Sequence, residues 1–225
     1  MHFRRRVGAA AGAIAAALGC VAAALGCATP TVDGVAPAYD PTALTGGIVY
    51  HWPLGRAVTV HVVPSGGSED LEVAVRAALD RWVPAMAYRE LSLRLANRAE
   101  DADIVVVESA APLPVDTSGC AAAGWTESAG RTLFCAAGDT ARTLPLLAGP
   151  VGRTKVLITI DAAGTADASE LLAVSVHEIG HALGIGGHSG IAGDVMFVAP
   201  QTIVPSAADA RTLRYVLHRR PDLRL

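Results

Sequence analysis

The sequence has few aromatic residues and few cysteines, and its charge is not basic. Aromatic side chains make up 4% of the 225 residues, so a core must be built mainly from Val, Leu, Ile and Ala. These residue types suit a valine-rich sheet packed under helices. The 18 Lys and Arg are outnumbered by 21 Asp and Glu. This balance predicts no nucleic-acid partner, because such partners select basic surfaces.

The four cysteines limit the sites that thiols could form. Cys120 and Cys135 are fifteen residues apart and have no second close pair, which argues against a cysteine-based metal site. In an oxidising compartment two thiols of one domain most often pair, and two buried free thiols are the alternative. We predict a disulfide between Cys120 and Cys135, which would stabilise the domain by roughly 3 kcal/mol.

Residues 1–26 are predicted to be an export signal. Arginines at positions 4–6 precede an apolar run from Val7 to Leu25, the order typical of a signal peptide. A transmembrane anchor is the alternative for a run of this length. The small residues that end in Cys20 and in Cys27 resemble the signal boxes of bacterial lipoproteins. We predict lipidation at Cys27, with ordinary signal cleavage as the alternative.

The segment after the signal is predicted to be a tether. Loss of residues 1–26 would leave 15 of the 18 basic side chains against 21 acidic ones, a net charge of about −6. Residues 27–47 are rich in Pro, Thr, Ala and Gly without an apolar period, which predicts flexibility. The protein is therefore expected to be exported, as a lipoprotein at the cell surface or facing the periplasm, or secreted. A membrane would be contacted only through the lipid.

Residues 48–225 are long enough for one domain with a sizeable core. The β-branched run Ala57–Val63 predicts a strand, and Leu91–Leu95 and Ile104–Val107 predict two more. A helix between the first two strands is indicated by apolar side chains at helical spacing. These are Leu71, Val75, Ala78 and Trp82. This order by itself predicts only a domain of mixed helices and strands.

The second half of the domain contains a further strand and two helices. Lys155–Asp161 is a clear strand, whereas Thr132–Cys135 is either a short edge strand along a cleft or part of an irregular loop. Asp167 can then cap a helix, with Glu170 at capping-box spacing. A last helix is predicted to begin after Ser206.

A His-Glu-x-x-His sequence lies on the helix that begins after Asp167. His177 and His181 are four residues apart, so on a helix they point the same way and can bind one metal ion. Glu178 follows the first histidine, where its carboxylate could take a proton from a metal-bound water. Gly180 would either let the helix approach its neighbour closely or simply cost about 1 kcal/mol of helix propensity. The spacing is typical of a zinc hydrolase.

Features beyond this motif extend the site. Gly184 can end the helix in a left-handed turn, after which the chain can return to deliver a third imidazole from His188. Met196 follows eight residues later. The whole run resembles the metzincin clan of zinc endopeptidases, most closely its matrixin-like branch, in which a His-Ser pair such as His188-Ser189 precedes a methionine-containing turn.

The resemblance implies an α+β fold and a Zn²⁺ site. The expected architecture is a twisted mixed sheet with a backing helix, an active-site helix and a C-terminal helix. Zn²⁺ would be bound by His177, His181 and His188, with Met196 as an apolar floor and Glu178 as general base. The implied function is a monomeric endopeptidase that hydrolyses protein or peptide substrates.

One departure from the family pattern leaves the third ligand open. The pattern has two residues between the glycine and the third histidine, whereas here residues 185–187 make three. Gly186–Gly187 could absorb the extra residue as a bulge, because glycine takes positive φ without steric cost. The alternative is that Asp194 or water replaces His188. The rival function is accordingly a catalytically inactive, metzincin-like surface lipoprotein with a binding or structural role.

Overall fold

The computed structural model describes residues 36–63, 70–108, 121–122, 129–134 and 156–225. The predicted signal peptide, Cys27, Cys120 and Cys135 lie outside these residues. Within them, no helix combines the length and the apolar character needed to cross a membrane. They fold as a mixed α+β arrangement, which confirms the predicted fold class at that level.

Most of the strands form one six-stranded mixed sheet. In chain order the strands are β1 (Tyr50–His51), β2 (Arg56–Val62), β3 (Leu91–Leu95), β4 (Ile104–Glu108), β5 (Ala121–Ala122), β6 (Gly130–Phe134), β7 (Val156–Ile160) and β8 (Leu223–Arg224). The sheet order is β3-β2-β4-β7-β6-β5, and β1 pairs separately with β8. Within this sheet, β3, β2, β4 and β7 are parallel to one another. In contrast, β6 is antiparallel to β7, and β5 is antiparallel to β6.

The buried strands of this sheet explain why its sequence is rich in valine. All residues from Ile104 to Val107 in β4 are fully buried, as are Val156, Leu157 and Ile158 in β7. Parallel strands covered on both faces favour continuous β-branched and aliphatic runs. Next to β7 lies β6, with Thr132 opposite Ile158. The described part of the Thr132–Cys135 segment is therefore a strand rather than a loop, but it is not the edge of the sheet, because β5 pairs with it at Leu133 and Phe134.

Three α-helices occur among the described residues: α1 (Asp70–Trp82), α2 (Ala168–Leu183) and α3 (Ala207–Leu217). The predicted cap of α2 is present, because Asp167 Oδ1 accepts from the N–H groups of Ser169 and Glu170 at 2.8 and 2.9 Å. Glu170 reaches one residue further back than a capping box requires and accepts from Ala166 N at 2.5 Å. The start of the helix is thus fixed by local side chains.

Helix α2 approaches α1 closely at Gly180. Trp82 Nε1, at the end of α1, donates to the carbonyl oxygen of Val176 at 2.8 Å. A Cβ added to Gly180 would overlap Met196 Sδ and lie 2.7 Å from Trp82 Cζ2. The glycine therefore serves close packing of the helix, the first of the two roles that the sequence left open.

Residues 36–47, the described end of the predicted tether (27–47), make contacts with the rest of the fold. Residues 38–52, which we call the N-terminal strap, lie on the chain that follows α2. Leu44 N donates to the carbonyl oxygen of Gly186 at 2.8 Å. Composition alone predicted a linker here, but Gly186 and Gly187 present backbone without side chains, and that bare surface lets the strap dock.

We predict that Gly180→Ala destabilises the protein by about 1–3 kcal/mol through overpacking, although alanine gains about 1 kcal/mol of helix propensity. The measurement is urea unfolding of the parent and the variant. Gly193→Ala is the control, because a Cβ there meets no atom within 4 Å. A Gly180→Ala protein as stable as the parent would contradict the close contact.

Candidate metal centre

The three predicted metal-binding histidines come together. His177 and His181 lie one turn apart on α2, and His188 returns to them after the helix ends. One ring nitrogen of each lies within 4.8 Å of those of the other two, which suits a single metal ion. His177 and His181 are each 2% exposed and His188 is half-buried. His188 is therefore the most exposed of the three residues.

Two backbone carbonyls orient the rings on α2. His177 Nδ1 lies 2.8 Å from Val195 O, and His181 Nδ1 lies 2.6 Å from Ile185 O. A carbonyl oxygen only accepts, so each Nδ1 carries the hydrogen and each neutral ring has its lone pair on Nε2. The two Nε2 atoms are 3.0 Å apart. Lone pairs that face each other at this distance repel unless a cation lies between the rings, so the donor set fits a metal.

The surroundings also keep these rings neutral. Burial lowers the pKa of His177 to about 4, against an opposing effect of its hydrogen bond to Val195. Burial, followed by the charges of the other two rings, holds the pKa of His181 well below its usual 6.5. Burial also lowers the pKa of His188. Neutral imidazoles are the form that binds metal, so the site needs no deprotonation at neutral pH.

The helix ends as predicted, and the extra residue does not remove His188 from the site. Gly184 has φ of 130°, and its N–H donates to His181 O at 3.0 Å. The alternative ligand Asp194 is engaged elsewhere, because its Oδ2 accepts from Ser189 Oγ. Among the described residues the group that could hold a metal contains the three histidines and not Asp194.

Met196 lies in a turn that supports the site through its backbone. Its side chain is fully buried against Gly180 on α2. Ser189 N donates to Met196 O at 2.7 Å, which closes the turn onto the residue after His188. The preceding residue, Val195, provides the carbonyl that orients His177. The methionine turn thus holds one ligand by a hydrogen bond and the helix by packing.

Asp209 on α3 holds this turn in place. Its Oδ2 accepts from Val195 N at 2.8 Å and from Ser206 N at 2.9 Å, and its Oδ1 accepts from Tyr39 Oη at 2.8 Å. Asp209 lies three residues after Ser206, at capping-box spacing, and it forms that capping box with Ser206. Its second role depends on contact with a turn 14 residues earlier, which no local pattern reveals.

Glu178 is buried next to strand β6. It is 1% exposed, and Thr132 Oγ1 donates to its Oε2 at 2.5 Å. A Cβ on Gly130 would lie 2.6 Å from Glu178 Oε1, so this carboxyl lies directly on the strand. Burial raises its pKa to about 8, although the Thr132 hydrogen bond acts in the opposite direction. The contact with β6 was not foreseen from sequence.

The remaining described histidines lie outside the site. His61 Nδ1 is 3.0 Å from Ala96 O, as expected for a structural histidine. His51 lies between two backbone carbonyls. His218, predicted to interact with the C-terminal end of α3, is the residue that caps that end, and its Nε2 also lies 3.2 Å from Glu90 Oε1. None of the three belongs to the group that could bind a metal.

Comparison with models of protein families found no match, and neither did comparison with curated protein sequences. The function therefore has to be inferred from the geometry and chemistry of the site.

We predict that Glu178→Gln changes how stability depends on pH in the metal-free protein. The folded state keeps a proton on Glu178 up to about pH 8, whereas an unfolded carboxyl loses it near 4.5. The contribution of Glu178 to the free energy of unfolding therefore falls as pH rises through this interval. Between about pH 6 and 8 the free energy of unfolding of the variant should rise by roughly 2 kcal/mol relative to that of the parent.

Urea unfolding in the presence of a chelator measures this difference. The same pair at about pH 4 provides the reference, because the carboxyl of Glu178 is then protonated in the folded protein and mostly protonated in the unfolded one. A difference in stability that stays constant across the interval would show that burial does not shift the pKa of this carboxyl.

Proposed function

We propose that this protein is a zinc-dependent endopeptidase of the metzincin type. The proposal depends on the convergence of three neutral imidazoles, from His177, His181 and His188. A buried carboxyl, that of Glu178, lies next to the first of these histidines on α2. The mixed sheet, the helix packed against α2, the methionine turn and the last helix support the metzincin assignment.

The donor set favours zinc. Three imidazole nitrogens are typical of catalytic zinc sites, in which a fourth position stays open. Carboxylate-rich shells, which suit magnesium or calcium, do not fit a group made only of histidines. Bound Zn²⁺ would supply a Lewis acid that makes a water acidic and polarises the scissile carbonyl.

Glu178 is assigned the proton transfers. Thr132 Oγ1 donates to Oε2, and Oε1 lies beside Gly130, so both oxygens of this carboxyl lie against β6. As the general base, the carboxylate would accept the proton of the attacking water and return it to the amine of the leaving product. A nearby cation favours the ionised carboxylate and lowers its pKa from about 8. The base would therefore be ready at neutral pH only when the site is loaded.

Strand β6 fits the position of a peptide substrate. Thr132 brings β6 into contact with Glu178, and β5 pairs with β6 at Leu133 and Phe134. A peptide whose scissile bond lies at the metal would therefore run alongside the part of β6 that precedes Leu133. Extended peptides bind sheets in this way through backbone hydrogen bonds. A protein or peptide substrate is therefore proposed, cleaved by a protein that acts as a monomer.

The export predictions complete the proposal. We propose that the chain leaves the cytoplasm by means of residues 1–26, is anchored through Cys27 and carries a disulfide between Cys120 and Cys135. The peptidase would then act on substrates outside the cytoplasm, held near a membrane only by its lipid.

We predict that zinc-loaded parent protein cleaves an unstructured protein such as casein, and that Glu178→Gln lowers kcat by about 10²–10⁴-fold while keeping one zinc per chain. A chelator should abolish cleavage and added zinc should restore it. Glu72→Gln is the matched control, because Glu72 is an exposed residue of α1. Activity is measured by release of labelled peptides, and zinc by elemental analysis.

Two outcomes separate the peptidase from its rival. A parent that holds zinc but cleaves no more than Glu178→Gln across many substrates would indicate a binding or structural module. Retention of full activity in Glu178→Gln would contradict the assigned base.

A further inference from the structure

The N-terminal strap wraps around the end of α2. Tyr50 Oη donates to His181 O at 2.9 Å, and Trp52 Nε1 donates to Ala182 O at 2.8 Å. Both acceptors are carbonyls of the last helical turn, which has no continuing helix to bind them. The strap therefore closes the C-terminal end of the helix that carries two of the three ligands.

The middle of the strap lies on the glycines that precede His188. A Cβ added to Gly187 would overlap the carbonyl oxygen of Asp40. On Gly186 it would lie 2.7 Å from Thr45 Cγ2 and 3.0 Å from Pro41 O. The strap and the loop before His188 are in backbone contact here, and no side chain larger than hydrogen fits between these two segments.

The contact with the strap is confined to the part of the loop that contains the extra residue. Later glycines of the same segment, Gly190 and Gly193, would accept a Cβ without meeting any atom within 4 Å. The loop from Gly184 to His188 is one residue longer than the pattern it resembles, and a longer loop has more conformations to lose on ordering. The strap covers the part of the loop where that residue lies.

The strap also reaches the support of His177. Tyr39 Oη donates to Asp209 Oδ1, and the other oxygen of this carboxylate accepts from Val195 N. Val195 O in turn orients the ring of His177. One continuous segment thus contacts the backbone before His188 and the acceptor that fixes the methionine turn.

We propose that Asp40–Thr45 of the strap are positioning residues for His188, and that their contact with Gly186 and Gly187 determines how tightly the site holds its metal. The proposal rests on the metal site of the proposed function but not on catalysis. The strap contacts none of the reacting atoms; it limits the backbone conformations from which His188 can bind.

The test is the dissociation constant for Zn²⁺, measured by competition with a chromophoric chelator. Gly187→Ala should push Asp40 away and weaken binding by about 10–100-fold, as loss of a supporting contact around a metal ligand does. Gly190→Ala, in the same segment, should bind as the parent does. The absorption of the Co²⁺-loaded protein should change in Gly187→Ala and not in Gly190→Ala, because one imidazole is displaced only in the former.

A second pair of variants links the effect to the strap. Gly186→Ala should weaken zinc binding, and adding Thr45→Ser should recover part of the loss, since serine lacks the Cγ2 atom in the way. Serine keeps the hydroxyl that bonds Thr42 O and Ile48 O. Strain confined to the loop would not respond to a change in the strap.

Equal affinity for zinc in the parent, Gly190→Ala, Gly186→Ala and Gly187→Ala would overturn the proposal. Gly187→Ala is used only if it folds, as judged by thermal unfolding with a chelator present. If it does not fold, the zinc affinities of Gly186→Ala with and without Thr45→Ser decide instead. If the parent binds zinc but cleaves no peptide, the peptidase is contradicted, whereas weaker zinc binding by Gly187→Ala or Gly186→Ala would still support the role of the strap. A parent that binds no metal would overturn both.

Discussion

The site depends on two hydrogen bonds that fix the tautomers of His177 and His181. Because each Nδ1 faces a backbone carbonyl, each Nε2 presents its lone pair, and the two nitrogens lie 3.0 Å apart. A carbonyl cannot adjust its own position; it is held by the chain that carries it. Val195 is held by Asp209, and Ile185 N donates to Gly180 O at the end of the ligand helix. The metal geometry is therefore set by backbone segments on both sides of α2.

Burial makes this arrangement costly without a cation. The pKa shifts of His177 and Glu178 go in opposite directions for the same reason, since burial disfavours the charged form of each group. The metal-free site is accordingly neutral throughout. A divalent ion would compensate by favouring the ionised Glu178, so that metal binding and activation of the base would be coupled. Keeping Glu178 protonated at neutral pH lowers the stability of the folded state without metal, because an unfolded carboxyl is ionised at that pH.

The sequence predicted the parts of the site that depend on local periodicity. Helical spacing brings His177 and His181 together, Gly184 takes the expected positive φ, and the cap at Asp167 is present, because each depends on neighbours within a few residues. Contacts between distant segments could not be predicted. Tyr39 bonds a carboxylate 170 residues later, whereas the composition of residues 27–47 predicts only a linker. The contact of Glu178 with Thr132 likewise depends on how a strand docks against a helix.

We propose that three imidazoles form the protein part of the metal shell despite the extra residue before His188. X-ray absorption of the zinc-loaded protein tests this most directly, since scattering from imidazole rings can be counted. We expect three histidine nitrogens and one light atom from solvent, all at about 2.0–2.1 Å. A shell with two imidazoles, completed by a carboxylate such as that of Asp194, would contradict the proposal.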